Sequence, residues 1–175
     1  MIDLGPMARA LAWAGLALAG LAGAAPALAA PADVALLQSY IGDWRGRGTL
    51  TGERSETVVC RLKISTGNSD KVNYSGRCTL AGKVLSINGT LAYVDAQRRF
   101  EAAMTSNAAF SGIAVGQKRG KGLLFNLRER DQDEEGKEYD ISADIALDQD
   151  EITVGFNVVY VETGESIRAS VPFSK

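Results

Sequence analysis

Few residues of this chain could carry out chemistry, because its 175 residues include no histidine and only two cysteines. The missing histidine excludes Ser-His-Asp and Cys-His nucleophiles, a histidine-ligated haem and the usual zinc sites. Acidic residues remain, but we expect no Asp or Glu on the apolar side of a strand. An active site inside the fold would then have no obvious general acid or base. We therefore expect no catalytic residues, no cofactor and no metal.

The two cysteines, Cys60 and Cys78, are predicted to form a disulfide. Residues 57–65 and 72–80 both alternate like β-strands, and the stretch between them is rich in turn-forming residues. If the strands fold back about this turn, Cys60 and Cys78 become cross-strand neighbours on the same face. A reactive redox pair is the alternative, but the C-x-x-C spacing typical of that chemistry is missing.

The N-terminal 29 residues predict export. A run without charges, built mainly from Ala, Leu and Gly, follows Arg9 and ends in Ala27-Leu28-Ala29. This pattern is typical of a secretory signal peptide cleaved after Ala29, and a retained membrane anchor is the alternative. We expect a bacterial periplasmic protein whose residues 30–175 form one domain without a stable membrane span. An oxidising compartment also favours the disulfide.

The remaining chain alternates between apolar and polar residues in segment after segment. A short helix is predicted at 33–41, where Asp33 can cap an apolar-periodic stretch that ends before Gly42. The segments after it predict an all-β fold, a single up-and-down antiparallel barrel of about 8 to 10 strands joined by short turns. A two-sheet β-sandwich is the alternative, but sandwiches generally need longer crossover connections.

The junction between the helix and the first strand carries a G-x-W motif, Gly42-Asp43-Trp44. In this position it resembles the calycin group, which includes lipocalins and the fatty-acid-binding-like and nitrobindin-like barrels. The resemblance implies an internal pocket for a small, mostly apolar molecule. It also implies that Trp44 closes one end of the barrel and that Arg168 of the last strand packs on it, although Arg168 lies on the polar side of that strand. The nitrobindin-like branch would imply haem, which the missing histidine excludes in that mode.

The apolar side of the strands mixes aromatic residues with small ones such as Gly76, Gly89, Ala102, Ala143 and Ala169. In a barrel this mixture permits a cavity, and a fully packed core is the alternative. The candidate ligand-binding residues are Tyr74, Tyr93, Phe100, Met104, Phe125, Phe156 and Tyr160.

The densest charge run, residues 128–138, imitates the opening of a calcium-binding EF-hand loop. Asp131, Asp133, Glu135 and Gly136 have the right spacing, but Ser142 stands where the bidentate carboxylate should be. We therefore predict a solvated hairpin tip between two strands rather than a metal site.

These observations favour an exported, non-catalytic barrel that binds a small apolar or amphipathic ligand in its interior. Two alternatives remain open. The first is a protein-interaction module, such as a barrel-type inhibitor or an envelope-associated docking protein, and the second is a barrel-type isomerase or cyclase. A nucleic-acid partner is disfavoured, because the balanced charge, net −2, offers too few cations to displace the counterions of phosphate.

Overall fold

The computed structural model describes residues 31–80, 82–107, 111–133 and 135–175, which form ten antiparallel strands closed into a barrel. The all-β, lipocalin-like prediction is confirmed, and the sandwich alternative is excluded by the closure of the sheet. The predicted leader, residues 1–29, lies outside the described residues. The elements are α1 (Pro31–Ser39), β1 (Gly42–Thr51), β2 (Ser55–Thr66), β3 (Val72–Leu80), β4 (Lys83–Val94), a 3₁₀ turn (Asp95–Gln97), β5 (Arg99–Ser106), β6 (Ser111–Arg119), β7 (Gly122–Gln132), β8 (Glu138–Leu147), β9 (Ile152–Tyr160) and β10 (Ser166–Ser174).

The strands follow one another around the barrel in chain order. Each pairs with the next, and β10 pairs back with β1, where Gly46 is opposite Phe173. Closure leaves no strand edge open to another chain. The turns are short, as between β6 and β7, where two residues suffice because Gly120 adopts a φ of +60° that favours glycine.

Alternation along the strands separates an inner from an outer surface, as predicted. On β2, Val58, Cys60 and Ile64 are buried inside, whereas Val59 and Arg61 are exposed outside. A strand with this period places its odd and even residues on opposite faces of the sheet.

The predicted disulfide is present. Cys60 and Cys78 are directly opposite in the β2–β3 register and are joined through their sulfur atoms. A disulfide inside one small domain is typical of a non-cytoplasmic setting. Neither helix among the described residues is long and apolar enough to cross a membrane.

One end of the barrel is closed by α1 and the residues that follow it. Leu37, Tyr40 and Trp44 are almost completely buried there. The Tyr40 hydroxyl donates a hydrogen bond to the Leu147 carbonyl oxygen at 2.9 Å, and Trp44 Nε1 donates to the Tyr40 carbonyl oxygen at 3.0 Å. Burying these polar atoms is tolerable because each has a partner. Trp44 is thus part of this closed end.

The cation over Trp44 is Lys175 rather than Arg168. Lys175 Nζ is 4.8 Å from the centroid of the Trp44 ring and donates to the Ser39 carbonyl oxygen at 3.3 Å. Arg168 is instead exposed near the opposite end of the barrel, where it is opposite Thr51 in the β1–β10 register. Its Nε donates a hydrogen bond to Asn157 Oδ1 at 3.0 Å. The outward parity of Arg168 keeps it from the interior, so the last residue of the chain supplies the cation–π contact.

Candidate functional site: the mouth of the barrel

No described residue closes the end of the barrel opposite α1, and we call this end the mouth. The β1–β2, β7–β8 and β9–β10 loops surround a cleft of about 1060 Å³ there. Leu50, Ile167 and Tyr160, all on the inward parity of their strands, form part of its apolar wall. A cleft of this size is large enough for a small organic ligand.

On β9 and β10, inward-facing side chains become more exposed toward the mouth. At the closed end Phe125 is 0% and Ile152 2% exposed, whereas nearer the mouth Phe156 is 38% and Ile167 36% exposed. Phe156 and Ile167 belong to the apolar parity, so ordinary core packing would have covered them. The β9–β10 side of the barrel therefore presents apolar surface that the described residues leave uncovered.

Phe156 is exposed because its neighbours are small. In the β8–β9–β10 register it is directly opposite Ala143 on one side and Ala169 on the other. Methyl side chains cannot cover an aromatic ring, so the ring is left without lateral packing. Four residues further along β9, toward the mouth, Tyr160 packs edge-to-face on Tyr139 with ring centroids 6.0 Å apart. The two phenols bring hydrogen-bonding groups to an otherwise apolar wall.

The Tyr139 hydroxyl is partly desolvated and lies near acidic residues, and both change its pKa. Desolvation first, then the negative charge of Asp131, raise the pKa of Tyr139 above its ordinary value of 10.0. The hydroxyl is therefore protonated at physiological pH and is available as a hydrogen-bond donor.

Acidic residues dominate the rim of the mouth. Among the described residues, seven carboxylates and two cations line the cleft: Glu53, Glu56, Asp133, Glu135, Glu138, Glu162 and Glu165, with Arg54 and Lys137. Lys137 is already paired with Glu135, at 2.7 Å. The rim therefore has a negative potential that favours cationic over anionic molecules at the entrance.

The expectation that no Asp or Glu would lie on the inward parity is wrong. Glu56 is opposite Leu50, Glu129 is opposite Ile141 and Asp131 is opposite Tyr139, so all three continue inward-facing rows. They lie at the mouth ends of β2 and β7, where the inner surface meets water and the charge remains solvated.

The acidic run at 128–138 forms the predicted hairpin tip. Asp133 Oδ1 accepts hydrogen bonds from the backbone N–H groups of Glu135 and Lys137, both at 2.9 Å. This carboxylate thus holds the turn together, which is a common role for Asp. Among the described residues no group of three His, Cys, Asp or Glu side chains is arranged to hold a metal ion.

Several of the predicted ligand-binding residues lie in the packed part of the barrel. Phe100, Met104 and Phe125 are buried, and Tyr93 packs edge-to-face on Phe100 with centroids 5.0 Å apart. A Cβ atom on Gly116 would come within 2.5 Å of the Phe125 ring. The space left by this glycine is therefore filled by the neighbouring aromatic ring.

Tyr74 fills the space beside Gly89 in the same way. A Cβ atom on Gly89 would lie 2.4 Å from Tyr74 Cζ, and the Tyr74 hydroxyl donates to the Ala103 carbonyl oxygen at 3.1 Å. Burial raises the pKa of Tyr74 far above its ordinary value. By contrast, a Cβ atom on Gly76 would meet nothing closer than 3.8 Å.

Of the predicted residues, only Tyr160 lines the cleft at the mouth, whereas Phe156 lies on the same inward row of β9, four residues further into the barrel. The structure adds Leu50, Tyr139 and Ile167, which sequence reasoning did not single out as site residues. Tyr139 could have been found by extending the Ile141 alternation two residues toward the N-terminus.

These features define the class of protein: a closed, lipocalin-like β-barrel with one sealed end and one open, apolar and acid-rimmed mouth. No protein-family model and no curated protein sequence matches the chain. Several solved structures share its fold, and two of them illustrate the likeness. Rv2717c from M. tuberculosis is 18% identical with a TM-score of 0.65, and the match covers 83% of this chain and 98% of that one. The S-type phycobiliprotein lyase CPES from Guillardia theta is 9% identical with a TM-score of 0.54, covering 79% of this chain and 89% of that one.

Proposed function

We propose that the protein is an exported, non-catalytic barrel that binds a small amphipathic molecule in its mouth. The observation that carries the proposal is the exposure of inward-facing apolar residues, Phe156 and Ile167 above all, at one end of an otherwise dry barrel. Exposed apolar surface in a concave site gains free energy when a ligand covers it. The disulfide and the N-terminal leader pattern support export, and we place the protein in a bacterial periplasm.

The charge of the rim selects among amphipathic ligands. An apolar body that enters past Ile167 would cover Phe156 deeper on the inward surface, and a polar head would stay near Tyr139, Tyr160 and the carboxylates of the rim. The negative charge of the rim would repel a carboxylate head, but it would not repel a cationic or neutral head. We therefore assign the site to neutral or cationic amphiphiles rather than to fatty acids.

A titration with fluorescent probes tests both statements. Three polarity-sensitive probes that share one alkyl chain and carry a trimethylammonium, a neutral or a carboxylate head are added to the full chain. We expect binding in the order cationic, neutral, anionic, with the gap between cationic and anionic probes shrinking as salt is added.

Matched variants locate the binding. Phe156→Ala should weaken the binding of the cationic probe about tenfold, since it removes most of an aromatic contact surface. Ile113→Ala removes a side chain that is 55% exposed on the outside of β6 and should change nothing. Equal weakening by both variants, or no binding of any probe, would refute the proposal.

A further inference from the structure

The outer surface of β1, β2 and β3 carries a concentrated positive charge. Its outward positions hold five cations, which we call the basic wall: Arg45, Arg47, Arg61, Lys63 and Arg77. The outward positions of these three strands include only one carboxylate, Asp43, which is opposite Lys63. This concentration is notable in a chain whose net charge is −2.

Three of the arginines form one row across the sheet. Arg45 is directly opposite Arg61, and Arg61 is directly opposite Arg77. Like charges directly opposite on neighbouring strands destabilise a sheet. None of the three makes an ion pair with another described residue.

The outer surface of β7 and β8 shows what a neutralised wall of the same barrel looks like. There Arg130 Nε is 2.8 Å from Asp140 Oδ1, and Arg128 is paired with Asp144 at 3.3 Å. The hydrogen bonds from Arg130 hold the pKa of Asp140 below its usual range. The arginines on the β7–β8 surface are therefore paired with carboxylates, whereas the arginine row of the basic wall is not. This difference points to an external anion as the partner of the basic wall.

The surroundings of the arginine row favour a membrane surface over a protein. A shallow groove of about 550 Å³ runs past Arg45, Arg47 and Arg61, with Val59 exposed in it and Glu151 as its one acidic residue. No aromatic residue occupies an outward position of β1, β2 or β3, and Phe173, which also lines the groove, is only 5% exposed. Protein interfaces rely on aromatic anchors, and single-stranded nucleic acids stack on aromatic rings. An anionic bilayer needs only cations.

We propose that the basic wall docks the barrel side-on onto the phosphate headgroups of an anionic lipid bilayer. Guanidinium groups suit this role because they donate paired hydrogen bonds to phosphate oxygens. The acid-rimmed mouth lies at the end of the barrel, so side-on docking keeps its carboxylates away from the lipid charge. The proposal stands whether or not the mouth binds a ligand.

Vesicle co-sedimentation of the full chain tests the proposal. Vesicles of phosphatidylcholine with phosphatidylglycerol are compared with vesicles of phosphatidylcholine alone, so that any insertion of the apolar residues 10–29 is measured by the second set. We expect binding to the anionic vesicles that disappears at high salt. Arg45→Gln/Arg61→Gln/Arg77→Gln should weaken it about a hundredfold, since each cation near such a surface contributes about fivefold.

The control variant removes the same number of cations from elsewhere on the outer surface. Arg128→Gln/Arg130→Gln/Arg168→Gln should retain binding within about threefold, because charges far from the contact are screened. Thermal melting checks that both variants fold, and removing the arginine row should not lower the melting temperature.

Four results would overturn the proposal. They are equal binding to both vesicle types, equal weakening by the two triple variants, displacement by inorganic phosphate beyond that by chloride at matched ionic strength, and tighter binding to polyglutamate than to vesicles. The second would assign the effect to net charge, the third to a free-phosphate site and the fourth to an acidic protein partner.

Discussion

Phe125 on β7 and Phe156 on β9 both point into the barrel, yet Phe125 is fully buried and Phe156 is 38% exposed. Phe125 lies against Gly116, whose missing side chain makes room for the ring, and α1 closes that end of the barrel. Phe156 lies between two alanines near the open mouth. The same residue type is thus packed into the core at one place and left partly uncovered at the other.

The sealed end also holds the polar contacts that fix the helix. Buried Asp33 of α1 has its Oδ1 2.5 Å from Lys118 Nζ on β6. The Tyr40 hydroxyl donates a hydrogen bond to the carbonyl oxygen of Leu147 at the end of β8. These contacts join segments far apart in the chain, so the sealed end is where long-range packing accumulates. The mouth has loops and solvated charges instead, which makes it the end that can accommodate a ligand without cost to the core.

Alanine substitution of the two phenylalanines should give the largest effect and the sharpest contrast. Phe125→Ala should lower the free energy of unfolding by about 3 to 5 kcal/mol, because it leaves a cavity in a packed region. Phe156→Ala should lower it by less than about 1.5 kcal/mol, because solvent already reaches the ring. Urea unfolding measures both, and similar losses at the two sites would remove the distinction between the ends.

Removing the disulfide tests how much the link between β2 and β3, two strands that run between the sealed end and the mouth, stabilises the barrel. Cys60→Ala/Cys78→Ala should lower the free energy of unfolding by about 3 kcal/mol, since the sulfur bridge closes a loop of 18 residues in the unfolded chain. Urea unfolding of the oxidised protein, the reduced protein and the double variant measures the effect. Unchanged stability on reduction would contradict it.

A pair of inward glycines tests whether aromatic rings fill the interior. Gly89→Ala should lower the free energy of unfolding by about 1 to 3 kcal/mol, because the new methyl group would collide with Tyr74 and the Ala103 carbonyl oxygen. Gly76→Ala is the matched control on the neighbouring strand, where a Cβ atom meets only ordinary contacts. Thermal or urea unfolding distinguishes them, and equal tolerance would show that Tyr74 does not occupy the space beside Gly89.

The smallest effect concerns pH. Burial raises the pKa of Tyr74 above its ordinary value of 10.0, so the folded protein keeps this hydroxyl protonated while the unfolded chain can lose the proton. The resulting stabilisation is complete below pH 10.0 and is lost as the pH rises above it. Tyr74→Phe should reduce the fall in stability above pH 10.0 in urea unfolding; an unchanged alkaline profile would argue against a buried hydroxyl.

Much of the barrel could be predicted from local alternation. The bounds of β3 agree with the sequence interpretation, and the facing cysteines are a consequence of one hairpin register. A period of two is a strong signal when one face is buried, because the polarity of each residue indicates which face of the sheet it occupies.

The candidate site was less predictable, because exposure inside a barrel depends on neighbours from other strands. Nothing local distinguishes Phe125 from Phe156, and only the register shows that one faces a glycine and the other two alanines. Tyr139 was missed because β8 begins at Glu138 in a run of charges, where cross-strand pairs such as Arg130 and Asp140 extend the ladder. Lys175 was missed because only the closed fold brings the last residue over Trp44.

The central claim, that the mouth half of the interior is the binding surface, can be tested residue by residue with methyl-resolved NMR. Dodecyltrimethylammonium, kept below its micelle concentration, serves as the probe. We predict saturable shifts at the mouth methyls of Leu50, Val158 and Ile167, and none at Leu123 or Ile152 of the sealed end. Shifts confined to the outer-wall methyls of Val59, Val84 and Ile113, or equal shifts at both ends, would contradict the claim.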